Sequence, residues 1–301
     1  MENSRIPGEH FFITSDNTAL FYRHWPALQP GAKKVIVLFH RGHEHSGRLQ
    51  HIVDELAMPD TAFYAWDARG HGKSSGPRGY SPSLARSVRE FDEFVRFAAS
   101  DSQVGLEEVV VFAQSVGAVL VATWVHDYAP AIRGLVLASP AFKVKLYVPL
   151  ARPGLALWHR LRGLFFINSY VKGRYLTHDR QRVASFNNDP LITRAIAVNI
   201  LLDLYKTSER IVSDAAAITL PTQLLISGDD YVVHRQPQID FYQRLRSPLK
   251  ELHLLPGFYH DTLGEENRAQ AFEKMQSFIS RLYANKSQKF DYQHEDRTGP
   301  S

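Results

Sequence analysis

Five short runs, residues 35–39 (VIVLF), 62–66 (AFYAW), 109–112 (VVVF), 135–138 (LVLA) and 223–226 (QLLI), are apolar at nearly every position. A strand with one wet face alternates apolar and polar residues, so a strand apolar throughout has both faces covered. Residues 252–255 (LHLL) read as a further strand, and residues 11–14 and 19–22 flank the turn-rich SDNT as a hairpin. Helical patterns lie between the runs. The clearest starts at Ser81–Pro82, a cap and first-turn pair, and continues through LARSVREFDEFVRFAAS; residues 272–283 (FEKMQSFISRLY) form another. Apolar strands alternating with helices predict an α/β fold, with a mostly parallel central sheet and helices on both faces.

One segment breaks the alternation. Residues 142–214 carry twelve Lys/Arg against five Asp/Glu, a net +7 in a chain whose total is +4. The segment interleaves Arg and Lys with Trp158, Phe165, Phe166, Tyr170 and several leucines, and holds helices around residues 192–205. It reads as an insertion between two strands. Its composition suits an interfacial surface, apolar side chains entering a bilayer while basic ones meet anionic head groups; the bland alternative is that the aromatics pack onto the core. From Lys286 the chain is polar and aperiodic, like a tail or linker.

With 44% hydrophobic and 22% charged residues, the composition is that of an ordinary globular protein. Cysteine is absent, which excludes disulfides and cysteine-based metal sites and fits a reducing compartment. MENSRIPGEHFF lacks the basic-then-apolar order of a signal peptide, and no apolar run approaches the roughly 20 residues of a membrane span. The expected location is cytoplasmic, with membrane association through the basic insertion. No nucleic-acid partner is implied.

In VVVFAQSVGA a strand-like run stops at Ser115 and gives way to small residues and a helical pattern. This is the layout of a nucleophile elbow, where strand and helix approach so closely that the positions two before and two after the serine must be small. Ala113 replaces the usual first glycine at the cost of one methyl, and Gly117 keeps the second. A serine needs a base, and the base an orienting carboxylate, following in the order Ser, acid, His after later strands. SGDDYVV supplies Asp229 and Asp230, and LLPGFYHD supplies His260. Asp230 is preferred, because acid-Xaa-Val-Val at a strand end aims the carboxylate inward. The oxyanion needs two backbone donors: Val116, after the nucleophile, and Gly42 in the loop HRGHEHSG. His40, His43 and His45 in that loop raise the rival of a metal site, but H-x-x-H-x-H lacks the Asp-His continuation of a binuclear hydrolase and is not a helical H-E-x-x-H. No metal and no cofactor is expected.

Together HRGHEHSGRL, WDARGHGKSSGPRG, AQSVGA, SGDDYVVH and GFYHDTLGE resemble the successive motifs of the monoacylglycerol lipase and lysophospholipase branch of the α/β-hydrolase superfamily, which includes serine aminopeptidase S33-type hydrolases. The resemblance spans residues 10–283. It implies the α/β-hydrolase fold, the triad Ser115, Asp230 and His260, the oxyanion donors Gly42 and Val116, and a helical cap inserted after the sixth strand. The expected division is a hydrolase core over residues 1–141 and 217–284, a cap over 142–216 and a tail over 285–301. In the resembled family the stretch holding Glu44, His45 and Arg48 borders the polar head of the substrate. Two departures stand out: Arg41 replaces the usual glycine and would narrow or charge the pocket mouth, and Gln114 replaces histidine and would alter the hydrogen bonding below the elbow. The cap motifs also resemble bacterial proteins in which such a hydrolase precedes a methyltransferase.

The reading is a carboxylic ester hydrolase acting on an acyl ester or lipid through an acyl-enzyme. Serine as nucleophile argues against the dehalogenase and epoxide-hydrolase branches, which use aspartate. Its rivals are a thioesterase or peptidase of the same fold and a non-catalytic ligand sensor or membrane-bound module on the scaffold.

Overall fold

The computed structural model describes residues 4–145, 151–169 and 171–284; Tyr170 and the tail from Lys286 lie outside them. In chain order the elements are β1 (Gly8–Ile13), β2 (Ala19–Trp25), β3 (Lys34–Phe39), α1 (Gln50–Leu56), β4 (Thr61–Trp66), α2 (Leu84–Asp101), β5 (Val109–Gln114), α3 (Val116–Tyr128) and β6 (Gly134–Ala138). After β6 the chain leaves the sheet for α4 (Ala151–Arg162), β7 (Phe166–Asn168), α5 (Arg180–Asn188), β8 (Ala195–Ala197) and α6 (Val198–Ser213). It returns through β9 (Thr222–Ser227), α7 (Gln236–Arg244), β10 (Lys250–Leu255) and α8 (Ala269–Ala284).

Eight strands form one sheet in the order β1-β2-β4-β3-β5-β6-β9-β10. From β4 to β10 all neighbours are parallel, while β2 is antiparallel to both β1 and β4. The apolar runs have the predicted cause. Val35, Val37, Val109 and Val111 point to one face, under Phe91 and Phe94 of α2 and Val121 and Trp124 of α3. Ile36, Leu38, Val110 and Phe112 point to the other, under Ile52 and Val53 of α1 and Met275 and Phe278 of α8. Successive residues face opposite sides, and both sides are dry.

Two expectations shift. Helix α2 is capped by Ser83 rather than Ser81: Ser83 is extended, and its hydroxyl accepts from the Arg86 amide at 3.1 Å, whereas Ser81 Oγ accepts from Ser87 Oγ. Pro82 is therefore ahead of the helix instead of in its first turn. Around residues 192–205 the helix begins only at Val198, because residues 195–197 pair antiparallel with β7.

The stretch between β6 and β9 sits on the loops at the carboxyl ends of the parallel strands. Thr193 N–H donates to His43 O at 3.0 Å and Ala197 N–H to Gly79 O at 2.9 Å. Its apolar residues divide. Leu176, Phe186, Leu204 and Ile211 join the core, whereas Leu157, Trp158, Leu161, Leu164 and Phe166 are exposed.

Candidate active site

Strand β5 ends at Gln114 and α3 begins at Val116, so one residue makes the whole turn. That residue, Ser115, has φ +57° and ψ −121°, a conformation that costs a non-glycine residue of order 1–3 kcal/mol and persists only when its surroundings dictate it. The neighbours dictate it: Ser115 N–H donates to Ala138 O at 3.0 Å, and Ala141 N–H donates to Ser115 O at 3.1 Å. A Cβ at Gly117 would lie 2.4 Å from the His40 carbonyl oxygen, so the second small position has no latitude. Ala113, fully buried in β5, fits the first.

His260, in the turn after β10, and Asp230, in the turn after β9, converge on this serine. Ser115 Oγ lies 2.7 Å from His260 Nε2, and His260 Nδ1 lies 2.7 Å from Asp230 Oδ2. A carboxylate only accepts, so Nδ1–H donates to Asp230 and Nε2 accepts from the serine hydroxyl. The Val232 and Val233 amides donate to Asp230 Oδ1 at 2.7 and 3.0 Å, which is what the acid-Xaa-Val-Val order aims at. Asp229 is exposed. Burial alone would raise the Asp230 carboxyl, but the adjacent His260 and the two amides hold it below the usual carboxylate range.

Gly42 faces Val116 across the elbow; a Cβ on Gly42 would lie 3.1 Å from Val116 Cγ2. Neither amide donates a hydrogen bond among the described residues, so both are available to an oxyanion between them. The loop is held from behind by Asp67, whose carboxylate accepts from Ser46 N–H at 2.6 Å and Lys73 N–H at 2.8 Å. His40 accepts from Ala68 N–H on Nε2 at 3.1 Å and donates from Nδ1 to Arg41 O at 2.6 Å. His45 donates to Asp189 at 3.0 Å, and His43 has a positive φ of +72°. Among the described residues no group of three His, Asp or Glu side chains is placed to hold a metal ion.

The structure takes Arg41, Glu44, His45 and Arg48 into one buried network. Arg41 grips Glu44 at 2.9 and 2.5 Å, and Arg48 Nε reaches Glu44 Oε1 at 2.8 Å. Arg48 Nη1 donates to Ser185 Oγ at 3.0 Å, and His45 meets Asp189, both partners belonging to α5 or its end. These contacts hold the loop. Arg41 is buried and paired, so it does not charge an open mouth. Gln114 Nε2 donates to His260 O at 2.9 Å, tying the end of β5 to the His260 backbone. The hydroxyls of Ser139 and Ser227 each lie 3.0 Å from Thr262 Oγ1, a buried cluster whose threonine stands two residues past His260 in the chain. A serine at or just past the end of two strands (LVLAS, QLLIS) carried that signal in the sequence.

Ser115 is only 5% exposed and His260 only 2%. A groove of about 590 Å³ opens nearby, between α5 and Tyr259, but no triad side chain lines it.

Burial also holds four histidines neutral: His40, His43 and His71 fall to about 4 and His51 to about 3 from an ordinary 6.5. Above pH 6.5 these rings are uncharged folded or unfolded. Below it the unfolded chain takes up protons that the folded chain refuses, so stability is lost as pH falls from 6.5 towards 4. Melting curves should show Tm dropping by about 10 °C between pH 7 and pH 5. A flat profile there would contradict the burial of these rings.

The fold is that of an α/β-hydrolase. A family model described as serine aminopeptidase, S33, matches residues 30–267, and the chain belongs to that family of hydrolases. It is 96% identical over its whole length to the protein YnbC of Escherichia coli, of which it spans 52%, about half. It is 27% identical to the monoacylglycerol lipase of Mycolicibacterium smegmatis, over 92% of this chain and 98% of that protein. Among solved structures, a soluble variant of Saccharomyces cerevisiae monoglyceride lipase in complex with a substrate analogue superimposes with a TM-score of 0.81 at 17% identity, covering 92% of this chain and 95% of that one. No helix among the described residues is long and apolar enough to cross a membrane.

Proposed function

We propose that the chain is a serine ester hydrolase that cleaves the acyl ester of a monoacylglycerol or lysophospholipid. The reading rests on one observation above the others, the unbroken hydrogen-bond chain from Ser115 through His260 to Asp230. His260 removes the hydroxyl proton as Ser115 Oγ attacks the ester carbonyl. The Gly42 and Val116 amides stabilise the oxyanion, and Asp230 stabilises the imidazolium. His260 then protonates the leaving alcohol, giving an acyl-enzyme that water opens by the same steps in reverse. The monoacylglycerol lipases among the relatives support an ester as the scissile group. An aminopeptidase would need a free carboxylate for the substrate's ammonium group. The buried acids beside the triad are instead taken, Glu44 by Arg41 and Arg48, Asp261 by Arg182, and Glu265 by His178, while Asp229 faces solvent. The test is hydrolysis of p-nitrophenyl esters and of monoacylglycerols of graded chain length. Absence of turnover on every ester, with Ser115 unreactive to a fluorophosphonate, would reject the reading.

The insertion serves as a cap that docks on anionic bilayers. Helix α4 exposes Leu157 (61%), Trp158 (50%) and Leu161 (69%), which a water-facing helix would not spend on apolar residues. Arg160, Arg162, Lys172 and Arg174 stand exposed on the same insertion. Each basic residue near such a surface contributes about 1 kcal/mol before screening. Co-sedimentation with vesicles should rise with anionic lipid and fall with salt. Changing Arg160, Arg162 and Lys172 to glutamine should weaken it by about tenfold or more. Equal partitioning to neutral and anionic vesicles, or none, would remove the membrane role and leave the triad untouched.

A further inference from the structure

Three groups of side chains outside the triad are candidates for unassigned work: the groove beside Tyr259, the neutral histidines behind the oxyanion loop, and the ion pairs that join α5 to the core. The ion pairs touch both catalytic loops at once.

Asp261 follows His260 directly and is buried, 3% exposed. Its Oδ2 accepts from Arg182 Nε at 3.2 Å and Nη2 at 3.0 Å, and Arg41 Nη2 lies 3.3 Å from the same oxygen. Arg182 belongs to α5; Arg41 directly precedes Gly42. One carboxylate oxygen therefore joins the insertion, the turn that carries the base and the loop that carries an oxyanion donor. The seat is tight, since a Cβ on Gly264 would lie 2.0 Å from Asp261 Oδ2 and 2.4 Å from Arg182 Nε. Asp261 N–H also donates to Leu176 O at 2.6 Å, so the insertion holds this residue by backbone and side chain together.

We propose that Arg182 is a positioning residue for catalysis: the ion-pair chain Arg182–Asp261–Arg41 fixes the His260 turn against the Gly42 loop, so that seating of α5 assembles the site. The inference rests on the reading of His260 as the base. A buried carboxylate that loses one of its two cations must shift towards the other or take up a proton. Either response moves the backbone next to His260, whose 2.7 Å contacts with Ser115 and Asp230 leave little slack. Misplacement of a reacting group by about 1 Å costs on the order of 100-fold in rate. Arg182 touches none of the triad side chains, so its loss acts through position.

The test uses the purified chain, with the rate of Ser115 labelling by a fluorophosphonate and the kcat and KM for p-nitrophenyl acetate as readouts. Labelling of the unaltered protein is read first; if it fails, the hydrolase reading and this inference fall together. With labelling intact, Arg182→Met should lower the labelling rate and kcat by about 10- to 100-fold while KM stays within about twofold. Arg182→Lys, which keeps the charge but loses the fork, should fall between. Arg182 also borders a cleft of about 320 Å³, shared with His51 and Asp54, large enough for a small cation. Ethylguanidinium should therefore restore part of the activity of Arg182→Ala. The exposed neighbour Arg180→Gln should behave as the unaltered protein. A normal labelling rate in Arg182→Met, or a loss confined to KM, overturns the inference while the triad reading stands. Should the methionine variant not fold, Arg182→Lys is combined with Asp261→Asn. Coupled effects on kcat are then expected, and additive ones overturn the proposal.

Discussion

Alanine at Ser115 should lower ester turnover by about 10⁵- to 10⁶-fold while leaving the fold intact. The side chain supplies the attacking atom, and neither His260 nor the oxyanion amides can replace it. Alanine at His260 should cost about as much, and at Asp230 about 10⁴-fold, because an unoriented imidazole still accepts a proton some of the time. The losses should not add: the chain of 2.7 Å contacts works as a unit, so the triple variant should be little slower than Ser115→Ala. Asp229→Ala should be neutral, since that carboxylate faces solvent. Ser115→Gly separates chemistry from conformation. It should be equally inactive yet more stable by about 1 kcal/mol, because glycine adopts the positive φ of residue 115 without strain. Burst kinetics, fluorophosphonate labelling and thermal melts check the set. Substantial turnover in Ser115→Ala, or an inactive Asp229→Ala beside an active Asp230→Ala, would overturn the assignment.

The sheet was legible because its central strands are dry on both sides. VIVLF and VVVF have no polar position to confuse the period, and α2 and α3 on one face and α1 and α8 on the other explain why. The candidate site was legible for a related reason: Ser115, Asp230 and His260 each stand just past a parallel strand, so chain order and strand ends alone bring them to one edge. Smaller features were decided by local competition that composition does not resolve. Ser81 and Ser83 are both good caps, and the pairing of residues 195–197 with β7 took three residues from the start of a helix.

The charged residues near the site were visible, but their partners were not. Arg41, Glu44, His45 and Arg48 stand in the right loop to meet a substrate, and a sequence cannot tell a side chain facing a ligand from one facing its neighbours. Arg182 lies 79 positions before Asp261 and carries no local signal. Its role depends on how α5 docks, which is tertiary structure. The basic insertion shows the same limit. Its apolar residues suit core and membrane surface alike in the sequence, and the fold divides them, burying Leu176 and Phe186 and exposing Leu157 and Leu161.

Valine at Gly42 should reduce kcat by about 10²- to 10³-fold, the usual effect of losing one oxyanion donor. The first side-chain atom would already lie 3.1 Å from Val116 Cγ2, tighter than ordinary contact, and the two further methyl groups add bulk beside the two amides. They either fill the oxyanion position or push the Gly42 N–H away from it. Both act on the transition state more than on ester binding, so KM should change little. Alanine adds only the first atom, which a small shift of the valine side chain accommodates, so Gly42→Ala should lose about tenfold or less. The same loop allows a direct trial of the metal alternative raised by His40, His43 and His45. His40 already spends both ring nitrogens on Ala68 and Arg41, and His45 spends Nε2 on Asp189, so a metal would have to break those bonds to bind. EDTA should therefore leave turnover unchanged. An enzyme silenced by EDTA and restored by zinc, or a Gly42→Val variant with normal kcat, would remove the oxyanion role from this loop and reopen the question of what its glycine is for.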